Sequence, residues 1–428
     1  MGRPPFGVAP SGSFRRVLNG VRGRRYFSVH CNRHIRALGL VDRLVRLPIP
    51  LHRAFSAHDG QRPFFPFGNP LRIMFPKGSY PSVETRKLLF AFEQSLAENL
   101  KKLSPKDASD VFTLSWMTLA IEFLSHTHDS IKTLMNELQL PVSDWDEKWT
   151  NMYLDSSVQL LDICIALSAE LSRLDRGQLL LKYVLHLVDI STACPSSEEL
   201  AKAHLYLHEW IERIDSRSPK LENCPAIIDS LQGTLGLPKV KSSKGKALMR
   251  ALYGFRVMTV FIFGIFSATL SGCSRPSTDV HASDGFLWFE AFGDLQAVVD
   301  GEFKRQFGSG KVAAFKEIEA VKVCASRLYD LTNDDSYKEE PAQDSNGINL
   351  EDGSSITPGK GSDLRRQWLR DCVTNLAFGV WTLGHELDSL SKQADHFFQI
   401  ILMGRDALLC NLRVSGVTHN SRAIHKNQ

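Results

Sequence analysis

The sequence lacks the short motifs by which many hydrolytic and nucleotide-binding enzymes are recognised. It contains no Gly-x-Ser-x-Gly elbow, no Gly-x-Gly-x-x-Gly fingerprint and no evident catalytic Cys–His constellation. Gly308-Ser-Gly-Lys311 is similar to part of a phosphate loop. However, Arg305 stands where that motif needs its first glycine, and Val312 follows the lysine. We therefore predict no cofactor and no enzymatic activity.

The cysteines lack any metal-binding spacing, and no Asn-x-Ser/Thr glycosylation site occurs. The eight thiols are scattered along the chain, several of them among apolar residues: Cys31, Cys164, Cys194, Cys224, Cys273, Cys324, Cys372 and Cys410. A free cysteine in such surroundings packs as a small hydrophobic residue. We predict reduced, structural cysteines in a cytosolic or stromal milieu.

Residues 1–62 contain no lysine and almost no acidic residues. This stretch carries twelve arginines but only Asp42 and Asp59, whereas the remainder of the chain is mildly acidic. An arginine-rich, acid-poor start is typical of an organelle transit peptide, and Arg25-Tyr-Phe-Ser28 resembles a mitochondrial processing site. A disordered extension remains the alternative. The acidic balance of the remainder predicts no nucleic-acid partner.

Strand-type alternation is absent, whereas helical periodicity runs through most of the chain. Apolar residues recur every three or four positions from about residue 83, and we predict an all-α bundle of long helices. Ser104 and Pro105 predict the start of one helix, and Gly384 and Gly404 predict bends in a very long last one. Residues 332–361 lack an apolar face and predict a disordered loop. The expected organisation is an extension over 1–62, a helical domain over 63–413 and a flexible tail over 414–428.

One joint between helices is well marked in the sequence Leu140-Pro-Val-Ser-Asp-Trp-Asp-Glu-Lys-Trp149. Pro141 ends the preceding helix, and Asp144 with Glu147 has the spacing of a capping box that begins the next. Trp145 and Trp149 lie one turn apart and are expected to pack the joint into the core.

The segment 257–273 is the one long stretch in which membrane contact has to be considered. It has no charged residue, and basic residues precede it from Lys239 to Arg256. Spanning a bilayer takes about 17–25 apolar residues, so the length is borderline. We predict a single-pass or membrane-associated helix, with Arg250 and Arg256 reaching towards the interface. The alternative is a buried central helix. The residues expected to face lipid or core are Val257, Phe261, Phe263, Phe266 and Leu270.

Three histidines are candidates for chemistry. His204 and His208 lie one turn apart, as in some zinc helices, but a third ligand is missing, so we predict no metal site. His128 falls on the apolar stripe of its helix and is expected to be a core histidine. If His128, Glu122 and Asp129 faced a common cavity, an enzyme or carrier for an apolar metabolite would be the better interpretation.

Several strings, in order and over roughly residues 63–413, resemble the plant BYPASS family of developmental regulators. Besides the Pro141–Trp149 joint, they are Pro63-Phe-Phe-Pro-Phe-Gly-Asn-Pro70, Met74-Phe-Pro-Lys-Gly-Ser79, Leu114-Ser-Trp-Met-Thr-Leu119, Lys244-Gly-Lys-Ala-Leu-Met-Arg-Ala-Leu-Tyr-Gly254 and Gly404-Arg-Asp-Ala-Leu-Leu-Cys-Asn-Leu-Arg413. The residues that carry the resemblance include Trp116, Asp144, Trp145, Trp149, Arg250, Tyr253, Arg405 and Asp406.

The resemblance implies a mostly helical, non-enzymatic plant protein. It would restrain production of a root-derived mobile compound that arrests shoot growth, acting through protein partners or a membrane. A related branch of the family is linked to exocyst subunits, which implies a trafficking scaffold as an alternative. Some members are labelled chloroplastic, so a chloroplast, a mitochondrion and the cytoplasm remain alternative locations.

Overall fold

The computed structural model describes residues 82–139, 147–189, 195–216, 221–237, 240, 242–271, 284–308, 314–332 and 359–425. No strand occurs within these ranges, which confirms the all-α class. Along with a short 3-10 helix over Ala108–Phe112, the elements are α1 (Val83–Leu103), α2 (Leu114–Glu137), α3 (Glu147–Leu187), α4 (Ser197–Asp215), α5 (Cys224–Gly233), α6 (Ser243–Ser271), α7 (Phe289–Gly308), α8 (Lys316–Thr332) and α9 (Gly359–His425).

Short polar side chains fix where the helices begin. Ser196 caps α4 and exchanges hydrogen bonds with Glu199 in a capping box. The predicted start of α2 at Ser104 and Pro105 is wrong, because Ser104 instead ends α1 by donating its backbone N–H to Leu100. The 3-10 helix intervenes, and Thr113 then caps α2 by accepting from the backbone N–H of Trp116.

The two longest helices organise the packing. α3 has 41 residues and α9 has 67, and α9 packs against α2, α3 and α8. Two apolar stripes run along residues 154–171 of α3, and both have buried members, including Leu160, Leu161 and Leu167. A helix apolar on two sides has to be covered on both, which suits its central place. α9 continues through residues 414–425, and the predicted loop lies mostly outside the described residues.

Gly384 and Gly404 lie inside the continuous helix α9, where each makes room for a polar side chain of another helix. A Cβ atom at Gly384 would lie 2.8 Å from Oε1 of Gln178. A Cβ atom at Gly404 would lie 2.5 Å from the hydroxyl of Tyr153. Both distances are shorter than van der Waals contact, so these glycines serve close helix approach.

α6 lies in the centre of the core. It packs against α1, α2 and α5, and every side chain from Ala247 to Thr269 is buried. Phe261 and Phe292 meet edge to face with ring centroids 5.2 Å apart. The absence of proline and of acidic residues lets one uninterrupted apolar helix pass through the bundle.

Candidate functional site

A small cavity lies among α2, α3, α6 and α9, and it is the best candidate for a site in the described part of the chain. Its volume is about 20 Å³. This leaves room for about one water molecule, whereas ligand pockets commonly measure about 300–1,000 Å³. Its apolar lining includes Leu252 and Phe255. Its polar lining comprises His128, Tyr153, Ser156, Ser157 and Arg256.

His128 and Tyr153 form the polar centre of this cavity. Nε2 of His128 lies 3.1 Å from the hydroxyl of Tyr153, and the ring of Phe255 packs edge-on against the imidazole. Burial lowers the pKa of His128 to about 4 and raises the pKa of Tyr153. Neither group titrates near neutral pH, where a general acid or base works best.

The grouping of His128 with Glu122 and Asp129 that would have favoured an enzyme or carrier does not occur in the structure. His128 is buried and faces the cavity, as expected of a core histidine, but Glu122 and Asp129 are exposed. A helix exposes one face to solvent, and both carboxylates lie on that face of α2. The cavity therefore has no carboxylate in its lining.

Arg256 brings a positive charge to the cavity wall. Its guanidinium donates to the backbone carbonyl of Leu231 at 3.2 Å, to the hydroxyl of Thr234 and to the thioether of Met152. Burial lowers the pKa of Arg256 to about 10, so the side chain stays charged at neutral pH. The predicted reach of Arg256 towards a membrane interface is wrong for this structure, because its partners lie inside the protein.

Arg405 joins α9 to α3 beside the cavity. Nη1 of Arg405 donates to the backbone carbonyl of Leu154 at 2.5 Å and to the hydroxyl of Ser157 at 2.8 Å. Asp406, the next residue in the same motif, is exposed. The hydrogen bonds of Arg405 therefore hold α9 against α3, whereas Asp406 is accessible to solvent.

Arg250 forms a second buried polar cluster, with Glu93 of α1. Nε of Arg250 lies 2.7 Å from Oε1 of Glu93, and Nη2 also donates to the carbonyl of Gly285 at 2.8 Å. Oε2 of Glu93 accepts from the backbone N–H of Leu287 at 3.1 Å. The guanidinium lies over the ring of Phe286, 4.4 Å from its centroid. Arg250 therefore does not reach outwards as predicted, since its bonds tie α1, α6 and the segment before α7 together.

The remaining motif residues lie in the core where they are described. Tyr253 stacks on Phe286 with ring centroids 5.0 Å apart. Trp116 donates its indole N–H to the carbonyl of Leu103 at 2.9 Å. Trp149 is fully buried. Asp144 and Trp145 lie outside the described residues, so the capping box and the tryptophan pair remain predictions.

His204 has structural neighbours of its own. Its ring stacks on Tyr329 with centroids 4.0 Å apart, and Nδ1 lies 3.1 Å from the hydroxyl of Thr332. Within the described ranges, no group of three or more histidine, cysteine or acidic side chains is arranged to hold a metal ion. Five cysteines of the described part, Cys164, Cys224, Cys324, Cys372 and Cys410, are free thiols.

Residues 257–270 of the segment considered for membrane contact lie inside the bundle. Two described helical spans, Trp149–Leu187 and Ser243–Leu270, are long and apolar enough to cross a membrane. The core helix of a soluble protein passes the same test, and 94% of the most apolar window in Ser243–Leu270 is buried. Val257, Phe261, Phe263 and Phe266 are all buried, and Leu270 is partly so.

The sequence did not single out Glu93 and Tyr153, which are the partners of Arg250 and His128 in the structure. Glu93 directly follows Phe92 on the stripe that also holds Leu89 and Leu96, and a charge on a buried stripe is a signal that it is paired. Tyr153 gave no comparable signal, because a tyrosine in an apolar stripe packs equally well as an ordinary core residue.

Together, the helices and the buried polar clusters define an all-α bundle protein in which Arg250, Arg256 and Arg405 tie helices to one another. No family model matches the chain, and no solved structure matches it. The chain is 41% identical over 442 aligned residues to UPF0496 protein 4 of Oryza sativa subsp. indica, covering 84% of this chain and 97% of the relative.

A second relative carries the family name. The chain is 43% identical over 361 residues to "Protein BPS1, chloroplastic" of Arabidopsis thaliana, covering 84% of this chain and 93% of the relative. The chain belongs to the BYPASS family of plant developmental regulators. The names of these relatives are not those of enzymes.

Proposed function

We propose that the chain is a non-enzymatic regulator of root and shoot development that restrains production of a root-derived mobile growth-arresting signal by binding other proteins. Family membership supports the developmental role. The observation that carries the non-enzymatic part is the cavity of about 20 Å³, which has no carboxylate in its lining. A metabolite would need a pocket more than ten times larger.

The surface that best supports protein binding lies on α9. Phe378 and Trp381 are 70% and 67% exposed and lie one turn apart. The indole of Trp381 stacks in parallel on His385, with ring centroids 5.9 Å apart. Large aromatic residues are over-represented among those that dominate binding energy at protein interfaces. The partner that fits is a protein presenting an apolar helix face.

The test is complementation in plants that lack their own family member. A Phe378→Ser, Trp381→Ser double variant should melt like the parent but fail to restore normal shoots. Leu205→Ser on α4 is the matched control, because Leu205 is a comparably exposed apolar residue, and it should restore them.

A cavity variant separates binding from chemistry. His128→Gln should restore normal shoots if its melting temperature stays near that of the parent. Loss of function in a folded His128→Gln protein, with full function in the α9 double variant, would overturn the proposal in favour of an enzyme or carrier.

The exocyst-linked scaffold remains a second candidate for the partner. It rests on the related branch of the family, and co-precipitation with tagged exocyst subunits tests it. The parent should recover such a subunit and the α9 double variant should not.

For location we propose the chloroplast, with residues 1–62 as the targeting segment. The arginine-rich composition of this segment and the name of the Arabidopsis relative support it. A fusion of residues 1–62 to a fluorescent protein should enter chloroplasts. Entry into mitochondria, or retention in the cytoplasm, would contradict this assignment.

A further inference from the structure

Arg256 is a buried cation whose charge is not matched by a carboxylate within the described residues. Its hydrogen bonds go to a carbonyl, a hydroxyl and a thioether, none of which carries a negative charge. Its Nε atom has no hydrogen-bond partner in the described part of the protein. A buried charge is costly unless an opposite charge or several hydrogen bonds compensate it.

The cavity beside Arg256 offers further donors for an anion. Tyr153 and Ser156 contribute hydroxyl groups to its lining, whereas the hydroxyl of Ser157 already donates to the carbonyl of Leu154 at 2.7 Å. His128 is buried, and within the described ranges its Nδ1 atom has no hydrogen-bond partner. Arg405 donates to the hydroxyl of Ser157, which places a second guanidinium next to the same wall.

We propose that this cavity binds one small monovalent anion of halide size. The charge of Arg256 selects an anion over a cation, and hydroxyl and guanidinium groups are donors that suit it. A volume of about 20 Å³ admits a single group of about the size of a water molecule, which excludes phosphate esters and carboxylate metabolites. The anion supplies the counter-charge that the helices around Arg256 do not.

The first test measures melting temperature of the full chain as sodium chloride replaces sodium gluconate at constant ionic strength. A ligand that binds the folded protein alone raises the melting temperature by mass action. The parent should show a saturable rise. Arg213→Met is the matched control, since Arg213 is partly exposed and pairs with Glu209, and it should show the same rise.

Arg256→Met keeps the length of the apolar stem but removes the charge, so it should show no such rise. A parent without a chloride-dependent rise, or an Arg256→Met protein with the same rise as the parent, would overturn the proposal.

A second measurement does not depend on whether Arg256→Met folds. Crystals of the parent grown in sodium bromide should show anomalous scattering from bromide inside the cavity. A water molecule or an empty cavity in those crystals would contradict the proposal, as would bromide found on the surface alone.

Discussion

At the scale of single residues, His128 links the stability of the bundle to pH. Burial lowers its pKa from 6.5 to about 4 in the folded chain. Between these two values the unfolded chain binds more protons, so stability falls as the pH falls through this window. A change of this size corresponds to about 3 kcal/mol.

We therefore expect His128→Gln to lose part of this pH dependence. Urea unfolding at pH 7 and at pH 4.5 measures the free energy of unfolding of the parent and the variant. Carboxylates titrate in both proteins, so the difference between the two pH profiles isolates the histidine. If the free energy of unfolding changed equally with pH in the parent and the variant, protonation of His128 would not destabilise the folded chain.

The buried pair of Glu93 and Arg250 makes a second prediction at this scale. Arg250→Met leaves a buried carboxylate unpaired and should lower the free energy of unfolding by about 3–5 kcal/mol. The double variant Glu93→Leu, Arg250→Met should recover much of this loss, because it removes both charges. As a control, Lys202→Met at the exposed pair with Glu198 should change stability by less than about 1 kcal/mol. Equal losses in the single and double variants would refute the pairing.

At the residue scale, the sequence predicts which side chains are buried but not which of them pair with each other. The stripe of Leu89, Phe92 and Leu96 predicts a buried face of α1, and the structure buries all three. Nothing in that stripe identifies Arg250 as the partner of Glu93, because the two are 157 positions apart. Periodicity reports which side of a helix is buried, whereas pairing depends on how helices meet.

At the scale of elements, the start of α3 depends on Trp149. This indole is fully buried in the first turn of the helix. Trp149→Ala should cost about 3–5 kcal/mol, the usual range for truncating a buried tryptophan. Trp381→Ala is the control, since its side chain is mostly exposed, and it should melt within a few degrees of the parent. A small effect at Trp149 would mean that this joint contributes little to the core.

Helix ends were predicted less well than helix interiors. The stripe in α9 from Leu376 to Leu408 was predictable, since a long period of three and four has few alternatives. The start of α2 was not, because Ser104 and Pro105 also suit the end of α1. Gly384 and Gly404 predict bends, whereas in the structure they make room for Gln178 and Tyr153 of α3.

At the scale of the whole molecule, the apolar helix α6 forms the core of the bundle rather than a membrane span. Length and composition fit a bilayer span as well as a core helix, so the sequence alone could not choose between them. In the structure, α6 carries both Arg250 and Arg256, and each bonds to groups on other parts of the bundle. Insertion of α6 into a bilayer would break these bonds and would empty the centre of the core.

We propose that α6 is the core of a folded bundle that acts through its surface. Extraction of plant membranes with alkaline carbonate tests this most directly, and a Phe261→Asp, Phe266→Asp double variant serves as the companion. Phe378→Asp, at an exposed position, is the control for adding a charge. We predict that carbonate releases the parent and the control, and that the double variant fails to fold because it buries two unpaired carboxylates. A parent that stays in the pellet, with a double variant released as folded protein, would contradict the account.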